Sequence, residues 1–255
     1  MSFDVPGAIH MHSDYSHDGL DSLEQLRDVS LSRGIRWLGM TDHAEDFDAE
    51  IFGEYVAHCD RLSDAGFKFV PGLEFRFAGF RGVHLFAVGL RHWMEPRTFE
   101  DFFAGTRDLH CFTVLAHPVL CQHSAPEVVL ENVQAIEIWN TNYNTRYLAD
   151  PAAIKLFHNV RAKRPSVVAT VGLDQHDSSN DREVRTLIAE ADFMDPVAAL
   201  KAGRFSTIGR SAAFDSTATV PASVLRQMAI KRRALDTANR LQDRVLFALR
   251  RLASG

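Results

Sequence analysis

Short apolar runs alternate with stretches of helical spacing along most of the chain. The apolar runs predict strands at residues 8–12, 37–40, 67–77, 83–90, 112–116, 135–139 and 167–171. The stretches between them predict helices near residues 22–34, 50–65, 99–109 and 151–162. Strands that alternate with helices in this way are typical of repeated β-α-β units, so the pattern predicts an α/β fold.

Local signals mark the ends of two of these helices. Ser22 and Gln25 have the spacing of a capping box, which predicts the start of the first helix. Gly34 and Gly66 follow the last apolar positions of the first and second helices, where glycine commonly ends a helix.

The C-terminal segment differs in charge from the rest of the chain. Residues 222–252 hold eight Lys or Arg and two Asp or Glu, a net charge of +6, whereas the other residues sum to −11. Apolar residues recur there near helical spacing, which predicts one or two basic amphipathic helices. We expect a catalytic barrel over residues 1–221. Residues 222–255 are expected to pack on it or in a homo-oligomer interface, with nucleic-acid contact as the alternative.

Composition excludes several classes of protein. Apolar residues make up 46% and charged residues 24%, as in globular domains with a sizeable core. The N-terminus lacks a basic segment followed by an apolar run, and nowhere do eighteen apolar residues follow one another, so we expect a cytoplasmic protein with no membrane partner. The three cysteines, Cys59, Cys111 and Cys121, show no Cys-x-x-Cys spacing, which argues against a disulfide framework and a thiolate zinc site.

Histidine is the unusual residue of this chain, with twelve copies. His10 and His12 lie on the first predicted strand, where alternate side chains face the same side and can grip one metal ion. Taken alone, such a pair is more often two half-exposed side chains.

Further histidines and carboxylates stand at the ends of other predicted strands or just beyond them, except His84, which lies near the start of its own strand. The candidate metal ligands are His10, His12, Asp18, His43, Glu74, His84, His117, Asp174 and His176. The ends of parallel barrel strands converge on one rim, so these residues are expected to meet. A single histidine on an apolar strand is usually a satisfied core residue. Burying this many titratable groups without a cation, however, would cost several kcal/mol each.

Nine nitrogen and oxygen ligands exceed the needs of one tetrahedral ion, so two or three ions are expected. Imidazole and carboxylate together suit Zn, Mn or Fe. Two such ions, roughly 3.5–4 Å apart, can share a bridging hydroxide that attacks a phosphoryl group. Asp174 and His176 are candidate catalytic residues for the accompanying proton transfer.

Six short motifs, in order, resemble those of the polymerase and histidinol phosphatase (PHP) superfamily. They are His10-Met11-His12, Asp18-Gly19, Thr41-Asp42-His43, Gly72-Leu73-Glu74, Ala116-His117-Pro118 and Asp174-Gln175-His176. The resemblance implies a distorted seven-stranded β/α barrel with a two- or three-metal site, and the compact length is similar to the stand-alone phosphoesterase branch.

The resemblance also implies how the ligands divide among the ions. His10, His12, Glu74 and Asp174 would hold one ion, and Glu74 would bridge to a second ion that His84 and His117 complete. Asp18, His43 and His176 would hold the third. His92 and His110 are alternatives to His84.

Candidate substrate residues lie near the ends of predicted strands or in the loops that follow them. They are Arg76, Asn140, Arg146, Arg182 and Arg210. An arginine can clamp a phosphate with two hydrogen bonds, although a single arginine is more often a solvated surface residue.

The sequence therefore predicts a metal-dependent phosphoesterase acting on a phosphomonoester or a small phosphodiester, such as a nucleotide or a sugar phosphate. One alternative is an amidohydrolase-type enzyme that cleaves C–N or lactone bonds. Another is a metal-stabilised nucleic-acid-binding or exonuclease-type protein.

Overall fold

The computed structural model describes residues 3–143, 148–179, 182–210 and 212–253, and the side chains of the last helix up to residue 238. Two compact units divide the chain, Met1–Thr219 and Val220–Gly255. The sequence-predicted Arg146 lies outside the described residues.

The strands of the first unit are short and mostly buried. Within the described residues they are, in chain order, β1 (Val5–Met11), β2 (Trp37–Met40), β3 (Asp42–His43), β4 (Lys68–Val70), β5 (Gly72–Arg76), β6 (His84–Val88), β7 (Phe112–Ala116), β8 (Ala135–Asn140), β9 (Val168–Gly172), β10 (Arg185–Ile188), β11 (Phe205–Ile208) and β12 (Ala213–Asp215). Each of the seven predicted runs contains a strand, so the α/β prediction is confirmed.

The described helices of the first unit lie mostly between these strands. They are α1 (Leu23–Ser32), α2 (Ala49–Leu62), α3 (Phe99–Thr106), α4 (Glu127–Asn132), α5 (Pro151–Lys163) and α6 (Pro196–Lys201). The second unit contains one helix, α7 (Ala222–Ala253), where the sequence left one or two open. No described helix combines the length and apolar character needed to cross a membrane.

Two helix ends can be compared with the sequence prediction. The capping box at Ser22 and Gln25 is confirmed, with both reciprocal hydrogen bonds present. The second helix ends at Leu62, before the predicted stop at Gly66. The earlier end arises because the Asp64 carboxylate accepts hydrogen bonds from the backbone of Gly66 and Phe67 and so forms a separate turn.

The strands form two six-stranded mixed sheets. The first has the order β12-β11-β10-β1-β2-β4, and the second has the order β3-β5-β6-β7-β8-β9. β1 is parallel to β2 but antiparallel to β10, and β7, β8 and β9 run parallel.

β6 runs antiparallel to both of its neighbours, β5 and β7, so the parallel arrangement assumed from the alternating pattern is wrong here. The link between β5 and β6 spans residues 77–83, which is shorter than the dozen or so residues of a parallel crossover. Because of this reversal, the start of β6 lies beside the ends of β5 and β7, with His84 paired with Arg76 and Ala116.

The core beneath the strand ends is aromatic and β-branched. Phe86 is fully buried at the middle of β6, with Trp37 and Phe112 in the same buried cluster. The Phe86 ring lies 4.8 Å from the His10 ring, so this core supports the side chains at the strand ends directly.

Phe86→Ala is expected to lower the free energy of unfolding by about 3–5 kcal/mol, because it leaves a cavity that close-packed neighbours cannot fill. Urea denaturation followed by circular dichroism measures this change. Met194→Ala, at a side chain that is 65% exposed, is the control and should change stability by less than about 0.5 kcal/mol. Equal midpoints for the two variants would contradict the assignment of Phe86 to the core.

Candidate metal centre

All nine sequence-predicted ligands meet at one edge of the first unit, where each touches at least one of the others. Their positions are His10 on β1, His12 and Asp18 after β1, His43 on β3, Glu74 on β5, His84 on β6, His117 after β7, and Asp174 and His176 after β9. Residues from seven different parts of the chain thus form one cluster.

Glu74 lies at the centre of the cluster and is almost completely buried. Its Oε1 atom is 2.9 Å from Nδ1 of His84 and 3.0 Å from Nε2 of His117. Its Oε2 atom is 3.2 Å from Nδ1 of His43 and 3.7 Å from Nε2 of His10. Burial raises the pKa of Glu74, but hydrogen bonds from these histidines outweigh burial and hold the pKa well below its usual range. Glu74 is therefore an anion inside the protein.

Asp174 and Asp18 carry the other carboxylates of the cluster. The Oδ1 atom of Asp174 lies 3.7 Å from Nε2 of His10 and 3.6 Å from Nε2 of His12. The Oδ2 atom of Asp18 lies 3.3 Å from Nε2 of His43 and 3.4 Å from Nε2 of His176. Asp18 is partly exposed, so this side of the cluster opens to solvent.

Ligand atoms lie within 4.8 Å of one another in three overlapping groups, which is close enough to hold metal ions. The groups are His12, Asp18, His43 and His176; His10, His12 and Asp174; and His10, Glu74 and His117. His10 and His12 each belong to two groups, so the groups are contiguous.

Several imidazole nitrogens of the cluster are buried without a hydrogen-bond partner among the described residues. They are Nε2 of His10, both ring nitrogens of His12, and Nδ1 of His117. Burial lowers the pKa of His12 well below its ordinary value, which leaves a neutral ring with a free lone pair. Buried polar atoms in proteins are normally satisfied, and a cation would satisfy these. The residues present therefore fit a metal, and their nitrogen and oxygen donors suit Zn, Mn or Fe.

Three of the cluster residues have left-handed backbone, which is rare outside glycine. The φ angles are 66° at His10, 25° at His117 and 50° at Asp174. Such conformations cost about 1–3 kcal/mol each and concentrate at functional sites. At His10 the pairing of β1 with β2 shifts register, so His10 lies in a bulge. His10 and His12 thus meet the same carboxylates through an irregular strand and not through the regular alternation that the sequence suggested.

Asp42 anchors the loop that carries Asp18. Its Oδ1 atom accepts hydrogen bonds from the backbone N–H of Ser13 at 2.7 Å, from Oγ of Ser13 at 3.0 Å and from Oγ of Ser16 at 2.9 Å. Burial raises the pKa of Asp42 despite these bonds. The Thr41-Asp42-His43 motif therefore places a loop anchor next to a candidate ligand, a role that the sequence analysis did not assign.

Glu137, on β8, is a second residue that the sequence analysis missed. It is buried, and its Oε1 atom lies 2.9 Å from Nδ1 of His10. Burial lowers the pKa of His10, but the carboxylates of Glu137 and Asp174 outweigh burial and raise that pKa well above its usual value. A carboxylate inside an otherwise apolar strand was the available signal.

Arg76 lies at the rim of the cluster. Its Nη2 atom is 3.1 Å from Nε2 of His43, and its Nη1 atom is 2.9 Å from Oε1 of Glu45. The side chain is 43% exposed, so the guanidinium faces both the cluster and solvent.

The other candidate substrate residues occupy different environments. Asn140 is fully buried, and its amide donates to Oδ2 of Asp174 at 3.1 Å. Arg182 is half-buried, whereas Arg210 is largely exposed and lies 3.7 Å from Glu183. Of the alternatives to His84, His110 lies 2.8 Å from Asp195 and His92 is exposed.

A cavity of about 570 Å³ lies next to Arg76, and its lining holds neighbours of the candidate ligands but not the ligands themselves. Its wall includes Ala44, Phe75 and Arg76, which directly follow the candidate ligands His43 and Glu74 in sequence. Trp93 and Met94 are also part of its lining. The cavity is large enough for a small organic group held next to Arg76.

Gly172→Ala is expected to destabilise the protein by about 1–3 kcal/mol, the typical cost of overpacking. A Cβ atom at Gly172 would lie 1.7 Å from Oε1 of Glu137 and 2.9 Å from Cβ of His10, so one of them must move. Gly53→Ala in α2 is the matched control, since its added Cβ meets open space. Chemical denaturation of both variants tests this, and a Gly172 variant as stable as the Gly53 variant would show that the packing there is loose.

Comparison with known proteins places this geometry in a family. The structure is similar to the crystal structure of PsfC from Pseudomonas syringae PB-5123, with a TM-score of 0.54 and 17% sequence identity over 91% of this chain and 98% of that chain. At this identity the likeness concerns the fold. No curated protein sequence matches the chain. Residues 8–162, more than half of the chain, match the PHP domain and include seven of the nine candidate ligands. The chain therefore belongs to the PHP domain family.

Proposed function

We propose that the chain is a metal-dependent phosphoesterase that hydrolyses a phosphomonoester or a small phosphodiester, such as a nucleotide or a sugar phosphate. The observation that carries this proposal is the set of buried imidazole nitrogens that have no hydrogen-bond partner in the described part of the chain and that surround two buried carboxylates. Membership of the PHP family and the buried His, Asp and Glu groups are consistent with a metal-dependent hydrolase.

We infer that the two sheets together form the distorted β/α barrel that the family implies. Hydrogen bonds join β1 to residues that follow β9, from the N–H of Leu173 to the carbonyl of Ile9 and from the N–H of His12 to the carbonyl of Gln175. On the other side, β2 is followed directly by β3, and β4 by β5, so the chain passes twice from the first sheet into the second. Both connections support a closed arrangement with the candidate ligands at one rim.

In this proposal the ligands divide as the resemblance implies. His10, His12, Glu74 and Asp174 would hold one ion, His84 and His117 would complete a second on Glu74, and Asp18, His43 and His176 would hold a third. Divalent cations at such a site, whether Zn, Mn or Fe, activate water and neutralise the charge of a phosphoryl group.

Asp174 and His176 are the residues that we assign to proton transfer. Asp174 is buried, and its Oδ1 atom lies 3.7 Å from Nδ1 of His176. The His176 ring is partly exposed, with Nε2 directed toward Asp18 at the open side of the cluster. In a two-ion site, Nε2 of His176 would be free to deliver a proton to a leaving oxygen while Asp174 orients the ring; in a three-ion site the same nitrogen would instead bind the third ion.

The position of Arg76 favours a phosphorylated substrate over an uncharged one. Its guanidinium lies at the rim, where it can donate to a phosphoryl oxygen beside the cluster. The adjoining cavity would then receive the organic part of the ester.

Two alternative functions make different experimental predictions. An amidohydrolase-type enzyme would cleave lactones or amides, although Glu74 stands where those enzymes commonly have a carbamylated lysine. A nucleic-acid-binding protein would use the basic helix α7, where Lys231 and Arg233 are exposed, and reversing these two charges would then weaken nucleic-acid binding.

Phosphate release from a panel of nucleotides, sugar phosphates and small diesters, with added Mn, Zn or Fe(II), tests the proposal. We expect hydrolysis of at least one class and its loss on chelation. Protein that retains bound metal but hydrolyses no phosphoester in the panel would refute the proposed activity.

Glu74→Gln is expected to remove most of the bound metal and the activity together, because it replaces the central anion of the cluster with a neutral amide. Elemental analysis and thermal unfolding measure the loss. A ligand present at 100 times its dissociation constant stabilises the folded protein by about 2.7 kcal/mol. The variant should lose stabilisation of this order. Glu190→Gln, at an exposed carboxylate paired with Arg36, is the control and should keep its metal. Full metal content in the Glu74 variant would exclude the proposed ligand set.

Arg76→Ala is expected to reduce kcat/KM for phosphoesters by about 10- to 100-fold, since a hydrogen bond to a charged group contributes about 1.5–3 kcal/mol. Steady-state kinetics with the best substrate of the panel measures the effect. Arg81→Ala, at an exposed residue in the link between β5 and β6, should behave as wild type. Unchanged kinetics in the Arg76 variant would remove Arg76 from the substrate site.

A further inference from the structure

Glu137 contacts two candidate ligands and Asn140 without belonging to any of the ligand groups of the candidate metal centre. Its Oε1 atom lies 2.9 Å from Nδ1 of His10. Its Oε2 atom accepts hydrogen bonds from the backbone N–H of His117 at 2.6 Å and from Nδ2 of Asn140 at 2.9 Å. Every named partner of this buried side chain can donate a hydrogen bond to it, which suits a carboxylate with two acceptor oxygens.

Asn140 extends this network to a third candidate ligand. Its Nδ2 atom also donates to Oδ2 of Asp174 at 3.1 Å. Its Oδ1 atom accepts from the backbone N–H groups of Asn142 and Tyr143, at 2.9 and 3.0 Å. These two backbone donors fix the orientation of the amide, so the Nδ2 group must face the carboxylates.

The contact with Glu137 determines which nitrogen of His10 is free. Because Nδ1 faces a carboxylate oxygen, it carries the proton in the neutral ring. The lone pair is then on Nε2, which lies 3.7 Å from oxygens of both Glu74 and Asp174 and has no hydrogen-bond partner among the described residues. A cation at the cluster would bind this nitrogen in place of a proton, because a ligating imidazole nitrogen must be deprotonated.

The same carboxylate also holds unfavourable backbone. His10 and His117 both have left-handed backbone, and Glu137 bonds to the ring of the first and to the backbone N–H of the second. Such conformations persist only where the surroundings fix them. Gly172 packs against Glu137 on β9 and leaves space for its carboxylate.

We propose that Glu137, together with Asn140, is a positioning residue of the metal centre. It fixes the tautomer of His10, the backbone of His117 and the carboxylate of Asp174, so that their free atoms face a bound cation. This inference rests on the proposed function only in requiring that the cluster binds metal.

Glu137→Gln tests the proposal with a side chain of the same shape. An amide has one acceptor and one donor end, so in either orientation its NH₂ group faces a donor. If it faces His10, the ring must place its proton on Nε2, where it blocks the metal. We expect the affinity of the metal-free protein for Zn²⁺ and Mn²⁺, measured by isothermal titration calorimetry, to fall about 10- to 100-fold.

Thr170→Val is the matched control. Thr170 pairs with Glu137 across β8 and β9 and is fully buried, but it lies outside the network. Its variant should bind metal as wild type does. A comparable loss of metal affinity in the Thr170 variant would show that any substitution on β8 or β9 near Glu137 disturbs the site. It would overturn the specific role of Glu137.

A spectroscopic readout separates positioning from general support of the fold. In the Zn-loaded wild type, nitrogen-15 NMR of the histidine rings should show a proton on Nδ1 of His10. In the Glu137→Gln variant that signal should be lost or moved to Nε2. An unchanged ring signal together with unchanged affinity would overturn the proposal.

Asn140→Ala is the alternative variant if the Glu137 variant does not fold. It removes the hydrogen bonds to Glu137 and Asp174, and the metal affinity should fall about 10-fold. Wild-type metal affinity in this variant would refute the network.

The wild-type protein distinguishes this proposal from the proposed function. Metal binding without phosphoester hydrolysis would refute the proposed activity but not the positioning role, whereas failure to bind Zn²⁺ or Mn²⁺ would refute both.

Discussion

The burial of Glu74 among histidines is the interaction on which the rest of the site depends. A carboxylate removed from water is costly unless positive charge or hydrogen-bond donors surround it. Five imidazoles approach its two oxygens, at 2.9 to 3.8 Å, so this single anion draws β1 and the segment after it, β3, β6 and the end of β7 together. The cluster is therefore both a chemical site and a tertiary contact that joins both sheets.

The fold supplies these side chains through departures from regular structure. β1 bulges at His10, and left-handed backbone occurs at His10, His117 and Asp174. Regular strands would direct alternate residues to opposite faces and could not aim so many groups at one point. Buried polar side chains hold the irregular segments in place. Asp42 hydrogen-bonds to the loop that carries Asp18, and Glu137 hydrogen-bonds to the ring of His10 and the backbone of His117.

Much of the fold and of the cluster could be predicted from sequence, because strand lengths, helix caps and the positions of His, Asp and Glu after apolar runs are local signals. Other features depend on contacts distant in sequence. The reversal of β6 follows from the short link between the strands predicted at 67–77 and 83–90, but the alternation of strands and helices elsewhere favoured a parallel arrangement. Glu137 belongs to no motif, and only the structure brings it to His10, 127 positions away in the chain. Asn140 has the predicted place after a strand, yet its burial could not be read from the residues around it.

The pairing of β5 with β6 determines how two of the candidate ligands lie relative to each other. Glu74 and His84 lie on adjacent antiparallel strands, and the pairing of Arg76 with His84 sets their relative height. A slip by one residue would turn His84 to the opposite face and place an aliphatic side chain beside Glu74. The burial of Glu74 therefore favours the native alignment of these two strands, because a mispaired hairpin would leave the buried carboxylate without one of its hydrogen-bond partners.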